Sequence, residues 1–69
     1  MELLFIINIY KDKNKESDIE VSYSFENAKE VLHSYNKFVE KANNNYLVEL
    51  AVELKDGITG TVYSILTNC

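Results

Sequence analysis

The sequence predicts a two-layer α+β domain with the element order ββαββ, in which one helix packs on a four-stranded, mostly antiparallel sheet. Two periodicities carry this prediction. Apolar and polar residues alternate over positions 19–25 and 46–54, as in half-buried strands, whereas apolar residues recur every three or four positions from 28 to 42, as in an amphipathic helix. The Asp56-Gly57 pair adds a hairpin signal before the last strand.

The first strand is predicted over residues 3–10, within the segment MELLFIINIY. Eight of these ten residues are apolar, and they occupy both faces of the strand, as expected in the middle of a sheet. A polar loop, KDKNKESD, connects it to the second strand, IEVSYSF at 19–25. In that strand one face is formed by Ile19, Val21, Tyr23 and Phe25.

The helix carries one apolar stripe, formed by Ala28, Val31, Leu32, Tyr35, Phe38, Val39 and Ala42. Ser24 is predicted as its N-cap, because a hydroxyl there accepts a hydrogen bond from the first turn. Glu26 lies near the positive end of the helix dipole, and Lys37 and Lys41 lie near the negative end. The asparagines at 43–45 end the helix, since asparagine tolerates the left-handed conformation.

The third strand is predicted over residues 46–54, and the fourth over 58–68, with Gly60 at a bulge or a close backbone approach. To bury its stripe the helix must return across the sheet, and a right-handed crossover makes the second and third strands parallel. The first strand fits between them, so the order 2-1-3-4 is preferred. The order 2-1-4-3 remains an alternative.

Length and charge restrict the function classes. The 69 residues predict a single domain over 1–69, with a net charge of −4 and a pI near 4.8. All seven basic residues are lysines, so we do not expect direct nucleic-acid binding. The N-terminal apolar segment is too short to span a bilayer. The lysine- and asparagine-rich, arginine-free composition suggests an AT-rich bacterial or phage genome, and we expect a cytoplasmic protein.

The face of the sheet turned away from the helix, called the back face below, is predicted to be apolar. A domain of this size buries only about 60% of the surface of its unfolded chain, so it usually needs disulfides, a metal or self-association to be stable. The sequence predicts neither disulfides nor a metal site, which leaves self-association. We therefore predict a homodimer, formed sheet against sheet or through a shared edge. The predicted interface consists of Leu4, Ile6, Tyr10, Leu47, Ala51, Tyr63 and Ile65. In the fourth strand, Val62 and Leu66 are the alternative to Tyr63 and Ile65.

Four glutamates share the parity of the back face and are predicted to form the polar rim of a contact with another protein: Glu2, Glu20, Glu49 and Glu53. The expected function is that of a small, acidic, non-enzymatic protein that binds and inhibits another macromolecule, as accessory proteins of phages and mobile elements do. The alternative is capture of a nucleotide or metabolite between subunits. Its contacts would be Asn8, Tyr10, Tyr63, Lys11, Lys13 and Lys15.

The loop between the first two strands has the beginning of an EF-hand calcium motif, with oxygen-bearing side chains at Asp12, Asn14 and Glu16. The motif fails at its two most demanding positions, where Ser17 replaces the glycine and Tyr23 replaces the bidentate glutamate. No metal site is therefore predicted.

Catalysis and cofactor binding are not predicted either. The single histidine, His33, has no plausible nucleophile arranged around it and is predicted to be an exposed helix residue. The single cysteine, Cys69, cannot form a disulfide within the chain, and no glycine-rich phosphate loop is present.

Overall fold

The computed structural model describes residues 2–11, 19–42 and 45–68. Its elements are β1 (Glu2–Tyr10), β2 (Ile19–Phe25), α1 (Ala28–Ala42), β3 (Leu47–Asp56) and β4 (Thr59–Thr67). The strands form one sheet in the order β2-β1-β3-β4, and every pair of neighbours is antiparallel. The predicted ββαββ fold and the preferred order 2-1-3-4 are confirmed, and the alternative order 2-1-4-3 is wrong.

The core lies between α1 and the two central strands, β1 and β3. Ile7, Val31 and Val48 are buried almost completely, with exposed fractions of 0, 1 and 0%. Tyr35 and Leu50 extend this cluster along the helix and along β3. Complete burial of an aliphatic side chain of this size contributes about 1.5–3 kcal/mol, so these contacts hold the helix on the sheet.

Helix α1 begins later in the chain than Ser24 would allow. The side-chain oxygen of Asn27 accepts hydrogen bonds from the backbone N–H of Lys29 at 2.8 Å and of Glu30 at 3.3 Å, which makes Asn27 the N-cap. The prediction of Ser24 is wrong because β2 continues through Phe25, whose side chain packs against the core. The chain turns into the helix only after that contact.

The hairpin between β3 and β4 turns at Gly57, whose φ of 70° lies in the left-handed region that favours glycine. Asp56 pairs with Thr59, so the two loop residues are Gly57 and Ile58. A left-handed first loop residue matches the right-handed twist of the two strands, which is why tight hairpins select glycine there.

Gly60 lies at a close approach and not at a bulge. A Cβ at this position would lie 3.2 Å from Oε2 of Glu53, which is tighter than ordinary van der Waals contact. The bulge lies further along β4, where a register shift between Leu50 and Ala51 of β3 leaves Ile65 without a Cα partner.

Helix α1 covers β1, β2 and β3 and leaves β4 open. Phe38 stacks on Tyr23 of β2 with ring centroids 5.0 Å apart, which fixes one flank of the helix above the β2 side of the sheet. The buried and half-buried residues of the core cluster come from β1, β2, α1 and β3. One helix is about 10 Å wide and strands are about 4.8 Å apart, so a single helix cannot cover four strands.

Candidate functional site

The back face of the sheet carries a depression of about 450 Å³. It is lined by the polar side chains of Asn8, Tyr10, Ser22, Glu49 and Ser64 and by the apolar ones of Ile6 and Val62. The volume lies within the range of about 300–1,000 Å³ in which small-ligand sites fall. Apolar walls around a few converging polar groups are typical of such sites.

Strand register brings the polar side chains together. Asn8 of β1 lies opposite Ser22 of β2 on one side and opposite Glu49 of β3 on the other. Opposed residues of antiparallel strands project from the same face, with Cβ atoms about 5 Å apart. Tyr10 projects from this face as well, because it lies two positions after Asn8. The four side chains therefore form a polar row across three neighbouring strands.

Hydrogen bonds join this row into a network. The Ser22 hydroxyl donates to Oδ1 of Asn8 at 2.8 Å, and Nδ2 of Asn8 donates to Oε1 of Glu49 at 3.2 Å. The Tyr10 hydroxyl donates to the same oxygen of Glu49 at 3.0 Å. Both donors are neutral groups, and together they orient the carboxylate of Glu49.

Three members of the network are buried although one of them is a carboxylate, whereas Ser22 is exposed. Glu49 is 3% exposed, and Asn8 and Tyr10 are each 7% exposed. Burial raises the pKa of the Tyr10 hydroxyl above its ordinary value of 10.0, and the hydrogen bond to Glu49 and the charge of Glu49 raise it further. Removing a carboxylate from water costs several kcal/mol unless hydrogen bonds compensate. A buried charge beneath a surface depression is a feature of binding sites.

The second candidate surface is β4, an edge strand next to β3. Its nine residues, TGTVYSILT, include no charged residue. Four large apolar side chains are exposed: Val62 (53%), Tyr63 (53%), Ile65 (52%) and Leu66 (41%). Natural edge strands usually carry charges or proline that prevent pairing with another strand, and β4 carries neither.

The residues predicted at the self-association interface have different environments. Leu4 and Ile6 are half-buried on the back face. Tyr10, Leu47 and Ala51 are already buried within the single chain, with exposed fractions of 7, 4 and 0%. These three therefore offer little surface to a second copy, and self-association stays a prediction.

The placement of Tyr63 on the back face is wrong. Tyr63 pairs with Val52, which lies two positions from the core residue Leu50, so both Val52 and Tyr63 project from the helix side. Of the alternative pair, Val62 lines the back-face depression, whereas Leu66 pairs with the core residue Leu50 and projects from the helix side. Ile65 is the unpaired bulge residue. The sequence does not decide between the two parities because β4 is apolar on both.

The predicted glutamate rim is incomplete, because Glu49 is buried in the network and is not a rim residue. Glu2 is exposed, and Glu53 lies 3.9 Å from the Lys55 ammonium in an ion pair. The side chain of Glu20 lies outside the described residues. Glu49 is buried because the strand register places it opposite Asn8. The alternation of polar and apolar residues along one strand does not reveal which residue of the neighbouring strand lies opposite.

The remaining candidates contribute no further site. His33 and Lys11 are exposed. The other candidates lie outside the described residues, namely Asp12, Lys13, Asn14, Lys15, Glu16, Ser17 and Cys69. Within positions 2–11, 19–42 and 45–68, no three His, Cys, Asp or Glu side chains are grouped to hold a metal ion. Helix α1 is too short and too polar to cross a membrane.

A second cavity lies at the C-terminal end of α1. Its volume is about 190 Å³, and its apolar lining includes Ile9, Phe38, Ala42 and Val48. This cavity is smaller than a typical ligand site, and the side chains with polar groups that line it are those of Lys41 and Tyr46. The back-face depression and β4 are therefore the two candidate functional surfaces.

The chain matches no protein-family model, no curated protein sequence and no solved structure.

Proposed function

We propose that this chain is a small, acidic, non-enzymatic binding protein that forms a homodimer through β4 and inhibits another macromolecule by binding to it. The observation that carries the proposal is the uncharged edge strand with four exposed apolar side chains. In this proposal the protein acts in the cytoplasm as an accessory protein of a phage or mobile element. The arginine-free, lysine- and asparagine-rich composition supports that origin.

A second copy of β4 is the partner that fits this edge best. Two identical strands can pair in antiparallel orientation about a two-fold axis, so that the same N–H and C=O groups bond on both sides. Each chain carries a net charge of −4, so two copies repel each other over most of their surface. The repulsion is smallest at β4, which has no charge. The other edge strand, β2, contains Glu20 and follows a highly charged loop.

The exposed apolar side chains and the open backbone groups of β4 supply the driving force for association. Burying the exposed half of one such side chain contributes about 1 kcal/mol, and each new backbone hydrogen bond between the two copies adds about 0.5–1.5 kcal/mol. Association costs about 4–15 kcal/mol in lost freedom of motion, so the dimer requires both contributions.

Tyr63→Lys tests the dimer. Tyr63 is the middle residue of β4, so in-register pairing about the two-fold axis places the two copies of this side chain near each other. Lysine there introduces two facing ammonium groups, which destabilise an antiparallel pair. By analytical ultracentrifugation at micromolar concentration, we expect the wild type at twice 8.0 kDa and the variant at 8.0 kDa.

Leu3→Lys is the matched control, since Leu3 is 51% exposed, as Tyr63 is 53% exposed, and it lies on β1. The control variant should remain dimeric. A wild type that sediments as a monomer, or a Tyr63→Lys variant that stays dimeric, contradicts the proposed dimer. Inhibitory binding is tested separately by affinity capture from a bacterial lysate, and recovery of no stoichiometric partner counts against it.

The second candidate function is capture of a small ligand, which the back-face depression favours. Asn8 and Tyr10, two of the contacts predicted for this function, line the depression together with Glu49. Native mass spectrometry of the purified protein should then detect a retained small molecule. A spectrum that contains only the protein mass speaks against a tightly bound ligand.

A further inference from the structure

We infer that the proposed dimer binds its target through the helix side of its two β4 strands, and that the occupant is one helix of the target with an apolar stripe between basic flanks. The inference rests on the proposed dimer, since it names the surface and the kind of partner through which inhibition would occur. This surface is called the docking strip below, and it is formed by Leu32, Val39, Tyr63 and Leu66 of both copies.

The floor of the docking strip is the helix side of β4, which is apolar and open. Tyr63 pairs with Val52 and Leu66 pairs with the core residue Leu50, so both side chains project into the layer that α1 occupies. Both are exposed because α1 does not extend over β4. The strand contains no charged residue, so the floor is uncharged.

Helix α1 supplies an apolar wall beside this floor. Phe38 stacks on Tyr23, so that flank of the helix lies over β2. At about 3.6 residues per turn, Leu32 and Val39 lie roughly 100–120° round the helix from Phe38. The buried residue Tyr35 lies between the two flanks, so Leu32 and Val39 face β4. Leu32 belongs to the apolar stripe and is nevertheless 49% exposed, because nothing in the single chain packs against this flank.

The proposed dimer joins two such half-grooves into one. Antiparallel pairing of β4 with its copy has a two-fold axis perpendicular to the sheet, so both α1 helices lie on the same face of the joined sheet. The two β4 strands lie between these helices, and neither helix covers them. Two strands are about 10 Å wide, which is the diameter of one helix, so one further helix fits between the two copies of α1.

The same geometry restricts the kind of occupant. The proposed pairing uses the backbone groups of both β4 edges, so the docking strip offers side chains and no free strand edge. A sheet face is covered by helices or by a second sheet, and the two α1 helices leave no width for a sheet. Each copy has a net charge of −4, which attracts a basic partner and repels a further copy of this chain.

The test is isothermal titration calorimetry of the wild type with three synthetic peptides of about 20 residues, whose helix matches the length of about 30 Å of a nine-residue strand. The first peptide has leucines at helical spacing and lysines at the other positions. The second has the same composition in an order that breaks the stripe, and the third has glutamate in place of every lysine. We expect one copy of the first peptide to bind per two chains, at least about tenfold more tightly than the others.

Leu32→Lys should weaken binding of the first peptide at least about tenfold, because it places an ammonium group in each apolar wall. His33→Lys adds the same charge at the next position of α1, which is exposed, and it is the matched control. The control variant should bind the peptide as the wild type does. Both variants should remain dimeric, since α1 takes no part in the pairing of the two β4 strands.

Ultracentrifugation of the same samples separates this inference from the proposed dimer. A dimeric wild type that does not distinguish the three peptides overturns the docking strip and leaves the dimer standing, whereas a monomeric wild type contradicts both. One peptide per chain, or an equal loss of binding in Leu32→Lys and His33→Lys, also overturns the inference. So does a wild type that sediments as four chains, because a second dimer then covers the strip. Binding to phosphatidylcholine vesicles by the wild type but not by Leu32→Lys assigns the strip to a lipid surface and likewise overturns the inference.

Discussion

Replacing Tyr10 with phenylalanine removes one hydroxyl from the buried network and leaves the ring in place. The hydroxyl donates to Oε1 of Glu49 at 3.0 Å, and both residues are more than nine-tenths buried. A hydrogen bond to a charged group contributes about 1.5–3 kcal/mol to stability. We expect Tyr10→Phe to lower the free energy of unfolding by about that amount. For a domain of 60–100 residues, 1 kcal/mol shifts Tm by roughly 4–8 °C, so the expected loss is on the order of 10 °C.

The effect should depend on pH in a defined direction. The pKa of Tyr10 is raised in the folded protein above the value of 10.0 expected in the unfolded chain, so the folded state holds this proton more tightly. The resulting stabilisation is fully present below pH 10.0 and is lost as the pH rises through the folded-state pKa. The difference in Tm between wild type and Tyr10→Phe should therefore be constant near neutral pH and should shrink in alkaline solution.

Thermal unfolding followed by far-ultraviolet circular dichroism measures both effects. Tyr63→Phe is the control, since Tyr63 is 53% exposed on β4, and its Tm should differ little from that of the wild type at neutral pH. If Tyr10→Phe unfolds at the wild-type temperature, the hydrogen bond to Glu49 does not stabilise the fold. A difference that grows above pH 10 instead of shrinking refutes the assigned direction of the Tyr10 pKa.

Two further substitutions test the N-cap and the core by the same unfolding assay. Asn27→Ala should destabilise the protein by about 0.5–2 kcal/mol, because the N–H groups that its side chain caps lose their acceptor. Ser24→Ala should change the free energy of unfolding by no more than about 0.5 kcal/mol. An equal loss of stability in both variants contradicts the assignment of Asn27 as the N-cap. Ile7→Ala should lower the free energy of unfolding by about 2–5 kcal/mol, because Ile7 is fully buried. Ile58 is fully exposed at the hairpin, so Ile58→Ala should lower it by at most about 0.5 kcal/mol. A loss below about 2 kcal/mol for Ile7→Ala means that the neighbouring side chains move into the space left by the substitution.

The preferred strand order could be predicted from the apolar content of the strands together with the handedness of the crossover, although the order 2-1-4-3 stayed open. β1 is apolar on both faces, which suits a strand flanked by two others, and a right-handed crossover then fixes β2 and β3 on its two sides. The helix could be predicted for a similar reason, since its stripe returns at 3.6-residue spacing over four turns. Both signals are repeated along a segment, so single exceptions do not obscure them.

The details that could not be predicted depend on one or two residues. Whether Ser24 or Asn27 caps the helix depends on how far Phe25 reaches into the core, which is a tertiary contact. The face of Tyr63 depends on register in a strand whose two faces are equally apolar. Glu49 looks like a surface residue in an alternating strand, and its burial appears only when Asn8 and Tyr10 are placed beside it.

The position of β1 in the middle of the sheet also affects how the chain folds. Its contacts with β3 run from Glu2 opposite Lys55 to Tyr10 opposite Leu47, so they join segments separated by most of the sequence. Pairing of such distant segments requires closing a long loop first, which slows folding relative to a helical bundle of the same length. Until β3 arrives, the apolar β1 has an unpaired side, and nascent chains at high concentration are exposed to aggregation during that interval. Slower synthesis at reduced temperature should therefore raise the fraction of the protein that is recovered in soluble form.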